Sequence, residues 1–564
     1  MMRRRGIGGI VVVGSLVVLS AQATWAQGVQ ERSAAIKPMA ERIQTFADRM
    51  PESARRMLSS GALNLINLTE RWDRIEQHMR RAQPASRPSD QSIVPPDMRE
   101  IISDRVLAAP KSVSNTSIDV LSSRFTGFTQ SETSTAWCGN NVVVGFIDTG
   151  SFVETLFIPI GLSISGVARS TNKGGSFTDL GYVNPGPVLT DVLVGDPVLG
   201  CSDPNTFYLA ALFARAATSD ISVSKSTDGG ATFGNPISAA SKVGTTHFLD
   251  KPWMAVDPTG PNRIYVTYTD FDESGAVCGF DAGGPIFRTA IELVRSTDGG
   301  ISWNPPVVVQ EACGDAFVHG SQVSVGPSGA VYVAWEAFAA AGAREIDIRK
   351  SIDYGTTFGA AVKVDNVACV GTCSLLQGYF RSAYEFPTLV VDRSGTSTDG
   401  YVYIAWHDGR YLTVADLMMG SYGYADILFS RSTDGGATWS TAVRVNDSPE
   451  PLSSGLGTDQ YQPGIAVDKK GKIGVCFYDR RRDPNNFLID RECASSKDAG
   501  VSWRNKKMTK TNFSAVPSQD LLLNPRYMGD YDGLASDFTK TNSGFIGAWG
   551  DNSLGNPDVK AGKF

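Results

Sequence analysis

The chain has 564 residues, with 52 Lys plus Arg against 58 Asp plus Glu and a formal net charge of −6 at pH 7. That is well beyond the roughly 100–200 residues of one ordinary domain, so a large core can be buried. The acidic balance offers nothing to a phosphate backbone and excludes nucleic acid as an expected partner.

Residues 1–26 read as an export signal. Arg3, Arg4 and Arg5 form a basic start, Ile7 to Leu19 an apolar run, and Ala21-Gln22-Ala23 or Thr24-Trp25-Ala26 a small-residue cleavage site. No later run is apolar for long enough to span a bilayer, so a secreted or periplasmic protein with no membrane span after signal removal is expected. All eight cysteines lie beyond Ala26, where disulfides persist. Cys476 and Cys493 are symmetric about a turn near residue 484. Cys138 and Cys201 hold the same place in adjacent repeats, Cys278 and Cys313 flank one hairpin, and Cys369 and Cys373 close a small loop.

Residues 27–83 are different in kind. Ile36, Met39, Ile43, Phe46 and Met50 fall at helical spacing, as do Leu65, Leu68, Trp72, Ile75 and Met79. These amphipathic helices read as a packing accessory to the main domain; the alternative is a docking arm that engages a protein partner through residues 29–110. Residues 84–111 are a linker, Pro- and Ser-rich from Pro84 to Pro96, with a short helix from about Asp97 to Leu107.

From residue 112 to 564 nearly everything reads as strands and turns. Ser432-Thr433-Asp434-Gly435-Gly436-Ala437-Thr438-Trp439 has five further copies, starting at Ser170, Ser226, Ser296, Ser351 and Ser496, 55 to 81 residues apart. Asp and Ser side chains can accept backbone N–H bonds, the glycines permit positive φ and the aromatic is an apolar plug, so each copy closes a β-hairpin. A second repeat precedes each turn, as in Pro252–Asp257 with Arg263–Asp270, Pro387–Asp392 with Tyr401–Asp408, and Pro463–Asp468 with Ile473–Asp479; weaker copies are Pro197–Arg215 and Gln322–Glu336, and two more, Trp137–Asp148 and Asp530–Asp551, lie outside the range of the turns. The expected fold is all-β, a propeller of four-stranded blades preceded by a small α-helical segment. Seven strand pairs imply seven blades; six is the alternative if Trp137–Asp148 is not a true repeat. The last blade would lack a fourth strand, and Ser117–Ser122 is the segment expected to close the ring.

The pattern S-x-D-x-G-x-[ST]-[WF] resembles the Asp box, or BNR repeat, of sialidases and their relatives. The resemblance implies a propeller and a glycoside hydrolase of the sialidase-like, exo-acting kind, whose family uses an arginine triad for the sialic acid carboxylate, a Tyr nucleophile paired with Glu, and an Asp acid/base. Arg381, Arg410, Arg481 and Arg526 could supply the triad and Tyr461 or Tyr531 the nucleophile, although no Arg-Ile-Pro motif of that family occurs. The same box is found in non-catalytic scaffolds.

Strands alternate direction within a blade, so the face opposite the boxes collects the unusual polar residues. The candidates for catalysis there are Asp250, Asp408, Asp479 and Tyr531; those for substrate binding are Lys251, Glu385, His407, Arg410, Arg480 and Arg481. Paired carboxylates suit acid/base work, and Arg clamps an acidic group bidentately. The recurring strand-end aspartates also read as turn caps. The expected activity is binding or hydrolysis of an acidic glycan at that face. One alternative is a scaffold binding protein or polysaccharide; another is a lyase in which Arg410 or Arg481 neutralises a uronate while His407 or Tyr531 takes its proton. No metal site and no cofactor is expected; calcium would suit the carboxylates, but no D-x-[DN]-x-[DN]-G loop occurs. Four disulfides predict that a thiol titration of the denatured, unreduced protein detects no free cysteine.

Overall fold

In a computed structural model, the described residues are 30–66 except 35 and 60, 110–114, 129–368 except 157 and 261, 375–376, 380–381, 385–411, 425–448, 457–514, 529–537, 543–554 and 557–564. The expected export signal, the short helix expected near 97–107, the expected second helical stripe (Leu68, Trp72, Ile75, Met79), Ser117–Ser122, Arg526 and the Cys369, Cys373 pair lie outside them.

Seven antiparallel sheets of four principal strands form a ring. The first blade runs through Gln130–Cys138, Asn141–Asp148, Ser165–Ser170 and Thr178–Tyr182, and the sixth through Gln460–Val467, Ile473–Asp479, Leu488–Ser496 and Arg504–Lys507. The seventh takes Leu534–Ala535, Ile546–Asp551 and Asp558–Lys563 from the C-terminus and its outer strand, Lys111–Ser112, from the N-terminal side. Thus the ring does close with a strand from before the propeller, but that strand lies upstream of the segment expected. Lys111 pairs Ala561 and Ser112 pairs Lys560, and the next residue, Val113, is buried beside Trp137, Ile546 and Val559. This pairing removes the open edge of the last sheet.

The repeat turn is built as its composition requires. Asp434 Oδ1 accepts the N–H groups of Ala437 and Thr438 at 3.0 Å each, its Oδ2 accepts the Thr438 hydroxyl, and Ser432 Oγ accepts the Gly436 N–H at 2.7 Å. Gly435 and Gly436 hold φ of 74° and 92°, left-handed values that favour glycine. Gly436 also lies over the Tyr332 ring of the preceding blade, as Gly300 lies over Tyr208 and Gly500 over Phe429. The turn therefore fixes one hairpin and the spacing to its neighbour.

Three disulfides join the pairs expected, Cys138–Cys201, Cys278–Cys313 and Cys476–Cys493; the last spans directly opposed strand residues. Among the described residues no helix is long and apolar enough to cross a membrane.

The N-terminal arm comprises a helix over 30–49, a second helix Glu52–Met57, and a helical turn over 61–66. Ile36, Met39, Ile43, Phe46 and Met50 are all buried, in one core with Val194, Leu212, Phe248, Phe271 and Phe317 of the second, third and fourth blades. Phe46 stacks on Phe248 with ring centroids 6.0 Å apart. Arg32 donates to the carbonyls of Ile158 and Ile160, and Arg42 to those of Arg215 and Thr218. These carbonyls belong to loops of the face opposite the repeat turns, so the arm covers part of that face.

Because Asp434 accepts four hydrogen bonds within one turn, Asp434→Ala is expected to cost about 1–2 kcal/mol. The check is a urea denaturation midpoint that falls while the slope of the transition is unchanged.

Candidate functional site

Each blade's innermost strand begins at the covered face, and there the chain repeats a distortion. The ladder slips between Ser131 and Ser134, Gly195 and Val198, Asp250 and Trp253, His319 and Gln322, and Tyr461 and Gly464. Inside each bulge one residue is left-handed: Glu132 at φ 50°, Asp196 at 51°, Lys251 at 48°, Gly320 at 67° and Gln462 at 58°. Four of the five are not glycine, and each such residue costs on the order of 1–2 kcal/mol. The bulge turns the side chain out of the strand alternation and toward the propeller axis.

The axis there is a buried acidic cluster. Glu132, Asp196 and Asp250 are at most 1% exposed, and Lys251 is 8% exposed. The Lys251 ammonium lies 3.0 Å from Asp530 Oδ2 and faces the rings of Phe386 and Tyr531. Burial works against that ammonium, but Asp530, Glu132, Asp196 and Asp250 outweigh it and raise its pKa. Asp250 is pushed up to about 7, by burial first and then by Asp196. Burial, with the negative charges of Glu132, Asp196, Asp530 and Asp250, raises the Tyr531 phenol well above its usual range. Tyr531 is thus a hydrogen-bond donor here, giving its proton to the Pro197 carbonyl at 3.1 Å. Trp253 meets Tyr531 edge-on, with centroids 5.5 Å apart.

Of the ten candidate residues, four line this pole: Asp250, Lys251 and Tyr531, with His407 beside them, its Nδ1 accepting the Gln462 backbone N–H at 3.5 Å. The other six lie farther out in their blades. Asp408 Oδ1 accepts the Arg410 backbone N–H at 2.8 Å, and Asp479 Oδ1 that of Arg481 at 2.7 Å, so both aspartates cap their own turns. Burial raises the Asp479 pKa, and Arg481 partly offsets it. Arg410 is held by Asp408 and Asp365, Arg481 by Asp479 and Asp447, and Arg480 by Asp459 at 3.2 Å. Glu385 shares Arg344 with Glu336. The arginines that would clamp an acidic ligand therefore already hold carboxylates of the chain.

Glu132, Asp196, Trp253, Phe386 and Gln462 were not among the candidates. Of these, Asp196, Phe386 and Gln462 each immediately precede the proline that opens a strand repeat, as the candidate Lys251 does.

His247, Asp270 and Asp272 bring ligand atoms within 4.8 Å of one another, but Lys242 stands 3.4 Å from Asp270 and Arg288 3.5 Å from Asp272, supplying the positive charge a metal would bring. A central well of about 720 Å³ opens on the repeat-turn side, with Trp253 and Tyr531 at its inner end. The void at the pole itself is about 40 Å³.

Neither a protein-family model nor a curated protein matches the chain. Solved structures resemble it distantly. The Hadza microbial sialidase Hz136 is 16% identical with a TM-score of 0.40, over 65% of this chain and 65% of that one. The α-L-arabinanase of Penicillium chrysogenum, complexed with arabinobiose, is 12% identical with a TM-score of 0.41, over 72% of this chain and all of the other. An ulvan lyase of polysaccharide lyase family PL25 is 11% identical with a TM-score of 0.46, over 78% of this chain and 94% of the other. Likeness at this level bears on neither reaction nor substrate.

The raised pKa of Asp250 gives a stability signature. A carboxyl raised in the folded state contributes fully below its unfolded pKa of about 4, and that contribution is lost as pH rises through about 7. Asp250→Asn is therefore expected to gain stability over the wild type between pH 4 and pH 7, with no gain at pH 4, read as thermal midpoints across that range.

Proposed function

We propose that this chain is an exported, glycan-active propeller whose site is the pole formed by Glu132, Asp196, Asp250, Lys251, Asp530 and Tyr531. The supporting observation is the convergence of bulged, left-handed residues on one axial point. Strain of this kind is retained where the surroundings over-determine it, commonly at binding and catalytic sites. Trp253, Phe386 and Tyr531 offer ring faces and edges to the apolar side of a sugar, and the carboxylates accept from its hydroxyls.

A cluster of four carboxylates around one ammonium suits a neutral glycan better than the acidic one expected from the arginines. Asp250, protonated below about pH 7, is the group suited to act as general acid, and Asp530, balanced by Lys251, is a carboxylate suited to activate water or stabilise positive charge. A non-catalytic binding scaffold is the second reading, and the coverage of this face by the N-terminal arm favours it.

The test is product analysis by mass spectrometry on neutral and acidic oligosaccharides at millimolar concentration. Hydrolysis of a neutral glycan is expected, with kcat lowered roughly 100-fold or more in Asp250→Asn and KM little changed. Trp253→Ala is expected to weaken binding about tenfold. Neutral-glycan binding without product would favour the scaffold; binding confined to acidic glycans would overturn the charge argument.

A further inference from the structure

Residues 57–61 of the arm meet the pole where a ligand would. The Ser59 N–H donates to Asp250 Oδ2 at 2.8 Å and the Gly61 N–H to Asp196 Oδ1 at 2.9 Å. His319 donates from Nε2 to the Met57 carbonyl at 2.8 Å, while its Nδ1 accepts from the Thr269 hydroxyl at 2.8 Å. The loop thus presents two neighbouring donors to two carboxylates and an acceptor to an imidazole, the pattern that adjacent sugar hydroxyls present. The neighbouring void of about 40 Å³, lined by Lys251, Phe386, His407 and Tyr531, admits water but not a sugar ring.

Asn64, in the helical turn that follows, is fully buried, and neither its Oδ1 nor its Nδ2 has a hydrogen-bond partner among the described residues. The ring is closed by Lys111–Ser112, independently of the arm, and residues 67–109 join the two. The pairing that closes the ring therefore does not use the contacts between the arm and the pole.

We infer that residues 57–61 are a built-in competitor that occludes the pole, and that a neutral glycan binds there in exchange for the loop. The glycan half rests on the function proposed above; the occlusion does not. Competition lowers the apparent affinity of the wild-type chain by the fraction of molecules in which the arm is lifted.

The full-length chain tests this with two variants that act at opposite ends of the arm. In Gly61→Val, a Cβ at residue 61 would stand 2.5 Å from Asp196 Oδ1, so the loop and the Asp196 carboxylate must move apart. Phe46→Glu removes the stacking on Phe248 and loosens the helix. The readout is labelling of Asp196 and Asp250 by a water-soluble carbodiimide with glycine ethyl ester, mapped by mass spectrometry. Labelling is expected to be roughly tenfold faster or more in either variant that keeps a cooperative melt. Equal rates in wild type and variants would overturn the occlusion.

A second measurement needs no variant: hydrogen exchange of the wild type at residues 57–66, with and without a mixture of neutral hexasaccharides. Faster exchange with the sugar is expected, since linkage makes the competition reciprocal. Sugar that binds without changing exchange would overturn the competition. Faster labelling in the variants with no sugar bound by any form would uphold the occlusion and remove the glycan reading alone.

Discussion

The structure depends on closure of the ring. A four-stranded sheet of this size cannot bury both faces by itself, so each blade must pack on two neighbours, and the set has no free face only when the last blade meets the first. Closure is carried by few residues. Lys111–Ser112 completes the seventh sheet, and at the covered pole Thr133 bonds the Ala548 carbonyl while Glu132 accepts the Asp530 N–H at 2.7 Å. Between blades the repeat turns set the spacing, because a glycine with positive φ lets the turn approach a ring of the preceding blade.

Closure also creates the site. Seven innermost strands converge on one axis, so a single bulge repeated in five of them becomes a ring of polar groups in a small volume. Once buried there, Lys251 and its four carboxylate neighbours perturb one another more than any surface pair would. The result is a proton-retaining Asp250 and a Tyr531 that remains a phenol. Farther out, where strands diverge and solvent reaches the loops, the same residue types pair locally and close turns, as Asp408 does with Arg410 and Asp479 with Arg481.

The arm adds a second layer. Its apolar stripe is buried as thoroughly as a propeller strand, and the loop after its second helix supplies backbone donors to two carboxylates that would otherwise be buried without them. The same contacts hold the arm and shut the pole, so the chemistry of the pole and the placement of the arm are one question.

Much of the fold was legible in the sequence because it rests on local rules. The Ser-x-Asp-x-Gly turn, the strand pair before it and the helical stripe from Ile36 to Met50 each follow from the geometry of a few neighbouring residues, and counting the repeats gives seven blades. Even three disulfide pairs could be read from position within the repeat. The site was only partly legible: Asp250, Lys251, His407 and Tyr531 were visible as polar residues leading into or leaving strands, whereas Asp196 was marked only by its place before Pro197 and Glu132 resembled any other strand residue. What separates them is φ at a bulge, which a period-two pattern does not record. The fate of Arg410, Arg480 and Arg481, the identity of the closing strand and the covering of the pole by residues 57–61 were decided by the tertiary structure alone. Each depends on which groups from distant parts of the chain come within hydrogen-bonding distance, and sequence spacing carries no information about that.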